Sequence, residues 1–133
     1  MKYMLDTNIC IYVIKKKPES VLKKFRENFG NGLCISVITL SELMYGAEKS
    51  QAFEKNKAMI DELLETLPVL SLKSSVSYEY GKIRAYLEKR GTPIGMMDML
   101  IAAHAKTEDL ILVTNNMKEF ERVPGLKLEN WVE

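Results

Sequence analysis

Short apolar runs separated by longer amphipathic stretches constrain this chain more than any other feature. Tyr3-Met4-Leu5, Cys34-Ile35-Ser36-Val37-Ile38, Val69-Leu70-Ser71-Leu72 and Leu110-Ile111-Leu112-Val113 are too short for helices and rich in branched residues, as in strands buried on both faces. Leu126-Lys127-Leu128 is a candidate last strand. Residues 18–29 open on Pro18, at a first helical position, and put Val21, Leu22, Phe25 and Phe29 on one helical face. Residues 42–67 read as one or two helices. From Ser74 to Arg90, Val76, Tyr80, Ile83 and Leu87 recur at helical spacing before Gly91 and Pro93 stop the helix, and Gly95 to Lys106 opens another. Strands alternating with helices predict an α/β chain: a three-layer α/β/α domain around a central parallel sheet with right-handed crossovers.

Length and composition narrow this further. The 133 residues show no repeat, low-complexity block or Pro/Gly/Ser linker, which predicts a single domain over residues 1–133 with a core of its own. With 19 Lys+Arg against 18 Asp+Glu, the net charge of +1 excludes a strongly basic tail and an acidic solvating protein. The sum conceals segregation: residues 1–30 carry seven basic and three acidic side chains, the remainder twelve and fifteen. Cys10 and Cys34 sit in apolar contexts and read as reduced core residues. Met1 to Asn8 lacks a signal-peptide apolar run and no stretch is long enough to span a bilayer, so the expectation is a cytoplasmic protein without a membrane partner.

In a parallel sheet, ligands bind outside the carboxyl ends of the strands. Asp6 directly follows the first apolar run, Glu42 comes four residues after Ile38, Asp98 falls in the first turn of the helix opened by Thr92-Pro93-Ile94-Gly95, and Thr114-Asn115-Asn116 ends the Leu110 run. Topology therefore gathers these groups on one edge. Carboxylates held close together repel unless a cation neutralises them, and Mg²⁺ or Mn²⁺, which prefer oxygen ligands, fit that role. Such a centre suits hydrolysis of a nucleic-acid phosphodiester. Each residue also has a structural reading. Asp6 or Asn8 caps a helix, Thr39-Leu40-Ser41-Glu42 fits a capping box, Asp98 favours a helix dipole, and Asn116 caps the helix around Glu119.

Four segments carry a resemblance. Met4-Leu5-Asp6-Thr7-Asn8, Ile38 to Gly46, Gly95 to Ala105, and Leu112-Val113-Thr114-Asn115-Asn116 with Phe120, in that order and spacing, resemble the PIN-domain ribonucleases, and more narrowly the VapC toxins of bacterial type II toxin–antitoxin pairs. The resemblance implies a small PIN-like α/β/α fold with an acidic pocket for Mg²⁺ or Mn²⁺. Asp6, Glu42 and Asp98 match the family's catalytic, metal-binding acids. The fourth acidic position of many relatives falls on Asn116, an amide, which weakens the case for a second tightly held metal. Thr7, Asn8, Thr114 and Asn115 match positions that would support the ligands by hydrogen bonds. The resemblance further implies an endoribonuclease acting on tRNA, in particular the anticodon stem-loop of initiator tRNA. A VapB-type antitoxin would wrap the toxin and block the pocket with a basic side chain. A homodimer is implied too, and contact with DNA only through the antitoxin.

Lys15, Lys16, Lys17, Lys82 and Arg84 are candidates for contact with RNA phosphates, against the alternative of solvated faces and, for Arg84, an ion pair with Glu88. Met44, Met96, Met97 and Met99 read mostly as packing residues, as do the tyrosines, and His104, off the Asp98 face, as packing and not a base. An aspartyl-phosphate phosphatase would need an acid two residues after Asp6, where Asn8 stands. An inert interaction module is the non-enzymatic alternative. The leading expectation is a Mg²⁺-dependent endoribonuclease that leaves 5′-phosphate and 3′-hydroxyl ends.

Overall fold

A computed structural model describes residues 1–132. The elements are β1 (Tyr3–Leu5), α1 (Thr7–Lys15), α2 (Glu19–Glu27), β2 (Leu33–Ser36), α3 (Val37–Lys49), α4 (Phe53–Leu64), β3 (Val69–Leu70), α5 (Ser74–Lys89), α6 (Met96–Thr107), β4 (Ile111–Val113), α7 (Met117–Phe120) and β5 (Lys127–Glu129). The strands form one sheet in the order β3-β2-β1-β4-β5, and every pairing is parallel. The expected α/β/α architecture is therefore present.

Period-two alternation explains why the apolar runs are continuous. Tyr3 and Leu5, Leu33 and Ile35, and Val113 face one core, shared with Ile9 of α1, Val21 and Phe25 of α2, Leu43 of α3, and Ile60 and Leu63 of α4. Met4, Cys34 and Leu112 face the other, with Val76, Ile83 and Leu87 of α5, Met99 to Ala105 of α6, and Phe120. A strand sandwiched this way has no polar face to show. Cys10 and Cys34 are free thiols in opposite cores, which rules out their pairing.

Several boundaries differ from the sequence reading. The second strand ends at Ser36, not Ile38, because the Ser36 side chain accepts the Ile38 N–H at 3.0 Å and starts α3 at Val37. Thr39-Leu40-Ser41-Glu42 is consequently helix interior and no capping box. Residues 42–67 divide between α3 and α4 near Ser50 to Ala52. Pro18 is the N-cap of α2, not its first residue. Phe29, expected on the buried face, lies past the end of α2 and is 52% exposed. Tyr45, Tyr78 and Tyr86 are exposed, against the packing role expected of them. Among the described residues, no helix is long and apolar enough to cross a membrane.

The chain reverses direction across the sheet beside β1: it moves outward to β2 and β3, then crosses back to β4 on the other side. The carboxyl ends of β1 and β4 thus flank a crevice that no connection covers. Leu112, fully buried in β4 between β1 and β5, anchors this junction. Leu112→Ala is expected to lower unfolding free energy by about 2–5 kcal/mol in denaturant titration; a loss below about 1 kcal/mol would contradict the packing described.

Candidate active site

Asp6 takes two jobs at the end of β1. As N-cap of α1 its Oδ1 accepts the Ile9 N–H at 2.9 Å, and its Oδ2 accepts the Thr114 hydroxyl from the end of β4. The Thr114 oxygen also accepts the Asn116 N–H at 2.9 Å, which leaves its single proton for Asp6. Glu42, in the second turn of α3, is held in the same way: its Oε1 accepts the Thr7 hydroxyl from the first turn of α1. Asp98 is half-buried in the first turn of α6, where the helix dipole favours a negative charge. That helix leads into the start of β4, so its N-terminus lies at the same sheet edge as Asp6. Ala102, Ala103 and Ala105 are fully buried and let α6 lie close to the sheet.

Electrostatics join these positions. Burial pushes the Asp6 carboxyl up to about 6, hydrogen bonds from Thr114 and Ile9 oppose the rise, and the Glu42 charge adds to it. Burial also pushes Asp98 up to about 6, reinforced by the charges of Glu42, Glu119 and Asp6 in that order. Asp6, Glu42 and Asp98 therefore share one electrostatic site. Glu119 belongs to it too, and the sequence reading missed it. It sits one turn past Asn116 on α7, whose last residue, Phe120, is buried and pins the short helix to the core. The available signal was a carboxylate at the third helical position after a strand end. Among the described residues, none of these four carboxylates is in an ion pair.

The remaining candidates fall in different places. Thr7 and Thr114 touch the carboxylates directly. Asn8 helps Asp6 through its backbone, and its side chain is exposed. Asn115 turns away from the site: its amide donates to the Tyr12 hydroxyl and accepts from Asn130, both at 3.4 Å. Asn116, the N-cap of α7, bonds Thr114 through its backbone, with no capping bond from its side chain. Lys15, Lys16 and Lys17 are exposed at the far end of α1, roughly 12 Å along the helix from Thr7. Lys82 is exposed on α5, and Arg84 is engaged by Glu88 at 3.1 Å and the Tyr80 hydroxyl at 2.8 Å.

A PIN-domain family model matches residues 3–126, which takes in every element of the sheet edge just described. The chain belongs to the PIN-domain family. It is 52% identical over 132 residues to ribonuclease VapC2 of Haemophilus influenzae, covering 99% of each chain. It is 48% identical to the tRNA(fMet)-specific endonuclease VapC of Salmonella typhimurium over 98% of each. Among solved structures, the VapBC2 complex of Rickettsia felis bound to a promoter DNA fragment contains a chain that superposes with a TM-score of 0.94 at 44% identity, covering 99% of this chain and all of that one.

The PIN domain's site is a set of like charges with no ion-pair partner among the described residues. Protons relieve the repulsion below about pH 6; above it, a divalent cation is the chemically matched counter-charge. The side chains as they stand form no ready-made three-ligand set of His, Cys, Asp or Glu among the described residues. Two of the acids are instead parked on threonine hydroxyls, bonds that a cation must share or replace.

The raised pKa values have a stability consequence. An Asp98 carboxyl at about 6 when folded and 3.8 ordinarily binds more protons in the native state between those values. Its contribution to stability is therefore present at low pH and lost as pH rises through that window. His104, whose pKa burial lowers, acts in the opposite sense, so the difference between variant and parent isolates Asp98. Without metal, Asp98→Asn is expected to match the parent Tm near pH 4 and exceed it increasingly up to about pH 7.5. A difference that is flat with pH, or negative, contradicts the shared-charge site.

Proposed function

We propose that this chain, as a single PIN domain over residues 1–133, is the toxin of a toxin–antitoxin pair: a Mg²⁺- or Mn²⁺-dependent endoribonuclease that cleaves tRNA, with initiator tRNA as the leading substrate. The observation that carries the reading is the cluster of Asp6, Glu42, Asp98 and Glu119 at the switch point of the sheet, buried enough to raise two of the four carboxyls to about 6 and, among the described residues, without an ion-pair partner. The relatives' names supply the substrate class: one is a tRNA(fMet)-specific endonuclease and another a ribonuclease.

Asp6, Glu42 and Asp98 would hold the ion, with Glu119 as the fourth acid and Asn116 offering a neutral oxygen beside them. When bound, a divalent ion supplies positive charge that acidifies water and stabilises charge on a phosphodiester in transit. The chain's own residues do the rest. Thr114 and Thr7 aim Asp6 and Glu42, and the α1 and α6 N-termini add positive potential at an edge where phosphate must approach. The exposed Lys15, Lys16, Lys17 and Lys82 would contact phosphates away from the scissile bond, adding affinity without reading bases. Arg84 can join them only by leaving Glu88.

A groove supports the antitoxin reading. A cleft of about 320 Å³ between α1, α2 and α4 is lined by Val13, Ile14, Leu22, Phe25, Phe29 and Met59. It adjoins a second of about 280 Å³ that shares Ile14 and Met59 and ends at Glu42. An amphipathic helix seated there would carry the chain that follows it to the acidic site, where a basic side chain meets the carboxylates. Three of the solved relatives are VapBC complexes, two of those three on DNA. Binding to DNA would come through that antitoxin, and a toxin homodimer is part of the same reading.

Purified protein incubated with initiator and elongator tRNAs is expected to cleave the initiator in Mg²⁺ or Mn²⁺ and not in EDTA, with Asp98→Asn slower by about 100-fold or more. Equal cleavage in EDTA, or by the Asp98→Asn variant, contradicts the proposal, as does a chain that binds metal and cleaves no RNA.

A further inference from the structure

His104 is the only histidine of the chain and is fully buried in α6. A residue that merely filled this space would have no reason to be polar, since an imidazole carries a desolvation cost that leucine does not. Its Nδ1 lies 2.8 Å from the hydroxyl of Ser36, itself fully buried. That hydroxyl is the N-cap of α3 and accepts the Ile38 N–H at 3.0 Å. With one oxygen lone pair engaged by the Ile38 N–H, assigning the Ser36 proton to the His104 Nδ1 puts the ring's own proton on Nε2, a buried nitrogen without a hydrogen-bond partner among the described residues, so the bond to Ser36 is the side-chain hydrogen bond that orients the ring. Burial lowers the His104 pKa and keeps the ring in the neutral form that can accept this bond.

The bond joins two helices that each carry a carboxylate of the site. Ser36 precedes Glu42 by six residues at the root of α3, and His104 follows Asp98 by six on α6. Each carboxylate therefore rides about 9 Å from the bond on a helical arm of equal length. Elsewhere Glu42 is tied to α1 through Thr7, and Asp6 to β4 through Thr114. The His104–Ser36 bond is the corresponding tie between α3 and α6.

We propose that His104 is a positioning residue of the active site, whose hydrogen bond to Ser36 fixes Glu42 and Asp98 relative to one another. The inference rests on the metal-dependent nuclease reading above. Mg²⁺ tolerates little deviation from octahedral geometry, so a slack tie between the two helices weakens ion uptake and the chemical step without altering how RNA is held.

The test compares His104→Leu, which keeps volume and removes the acceptor, with His104→Asn, whose amide oxygen can stand near the Nδ1 position, and with Ser36→Ala. Mn²⁺ affinity is read by calorimetry on protein without RNA, alongside kcat, KM and Tm. His104→Leu and Ser36→Ala are each expected to weaken Mn²⁺ binding several-fold and lower kcat about tenfold with KM unchanged. The double variant should be no worse than either single one, and His104→Asn should recover most of both losses. If His104→Leu fails to fold, Ser36→Ala and His104→Asn carry the comparison.

A drop in Tm with Mn²⁺ affinity and kcat unchanged reduces His104 to a packing residue and overturns the proposal, as does His104→Asn behaving no better than His104→Leu. Wild-type protein that binds Mn²⁺ but cleaves no RNA overturns the nuclease reading alone, since the affinity comparison still decides the role of His104. Protein that binds no Mn²⁺ overturns both.

Discussion

Keeping Asp6 buried next to other carboxylates is the constraint around which the structure is arranged. An acid 5% exposed at the end of the central strand is expensive as an anion, Glu42 makes it more so, and Glu42, Glu119 and Asp6 in turn raise the cost of ionising Asp98. The fold answers with directed hydrogen bonds, from the Ile9 amide and the Thr114 hydroxyl to Asp6 and from Thr7 to Glu42. These bonds fix orientation without supplying positive charge. The site is left with an excess of negative charge that a proton or a metal ion can relieve.

The sheet makes the convergence possible. With every strand parallel, every β-to-α connection emerges at one edge, and the reversal of strand order beside β1 opens the crevice there. Both cores serve the site as well. Apolar packing on one face seats α1 and α3, and on the other seats α6 and α7, so four carboxylates distant in sequence are presented by elements that cannot move independently of the sheet.

Much of this was legible in the sequence because strand ends are local features. Asp6 abuts Leu5, and Asp98 follows a Gly-Pro punctuated break, so their edge positions could be read before any contact was known. Glu119 was only partly legible: the short helix around it was expected from Asn116, but its link to Asp98 arises only through tertiary packing. The start of α3 was misread for a related reason. Val37-Ile38 continues an apolar run that looks like strand, and the Ser36 cap that ends the strand is buttressed by His104, 68 residues away. Asn115 was expected beside Thr114 at the pocket. Neighbouring residues at a strand end point in opposite directions, and Asn115 reaches Tyr12 instead.

A cation entering a site of protonated carboxyls must displace protons. Mn²⁺ binding measured by calorimetry in buffers of different ionisation enthalpy gives the protons released per ion. With burial raising Asp6 and Asp98 to about 6, each is half protonated there, so binding is expected to release about one proton near pH 6 and almost none by about pH 8. Binding with no proton release across that range, or no binding at all, would contradict a site built from buried carboxylates awaiting a cation.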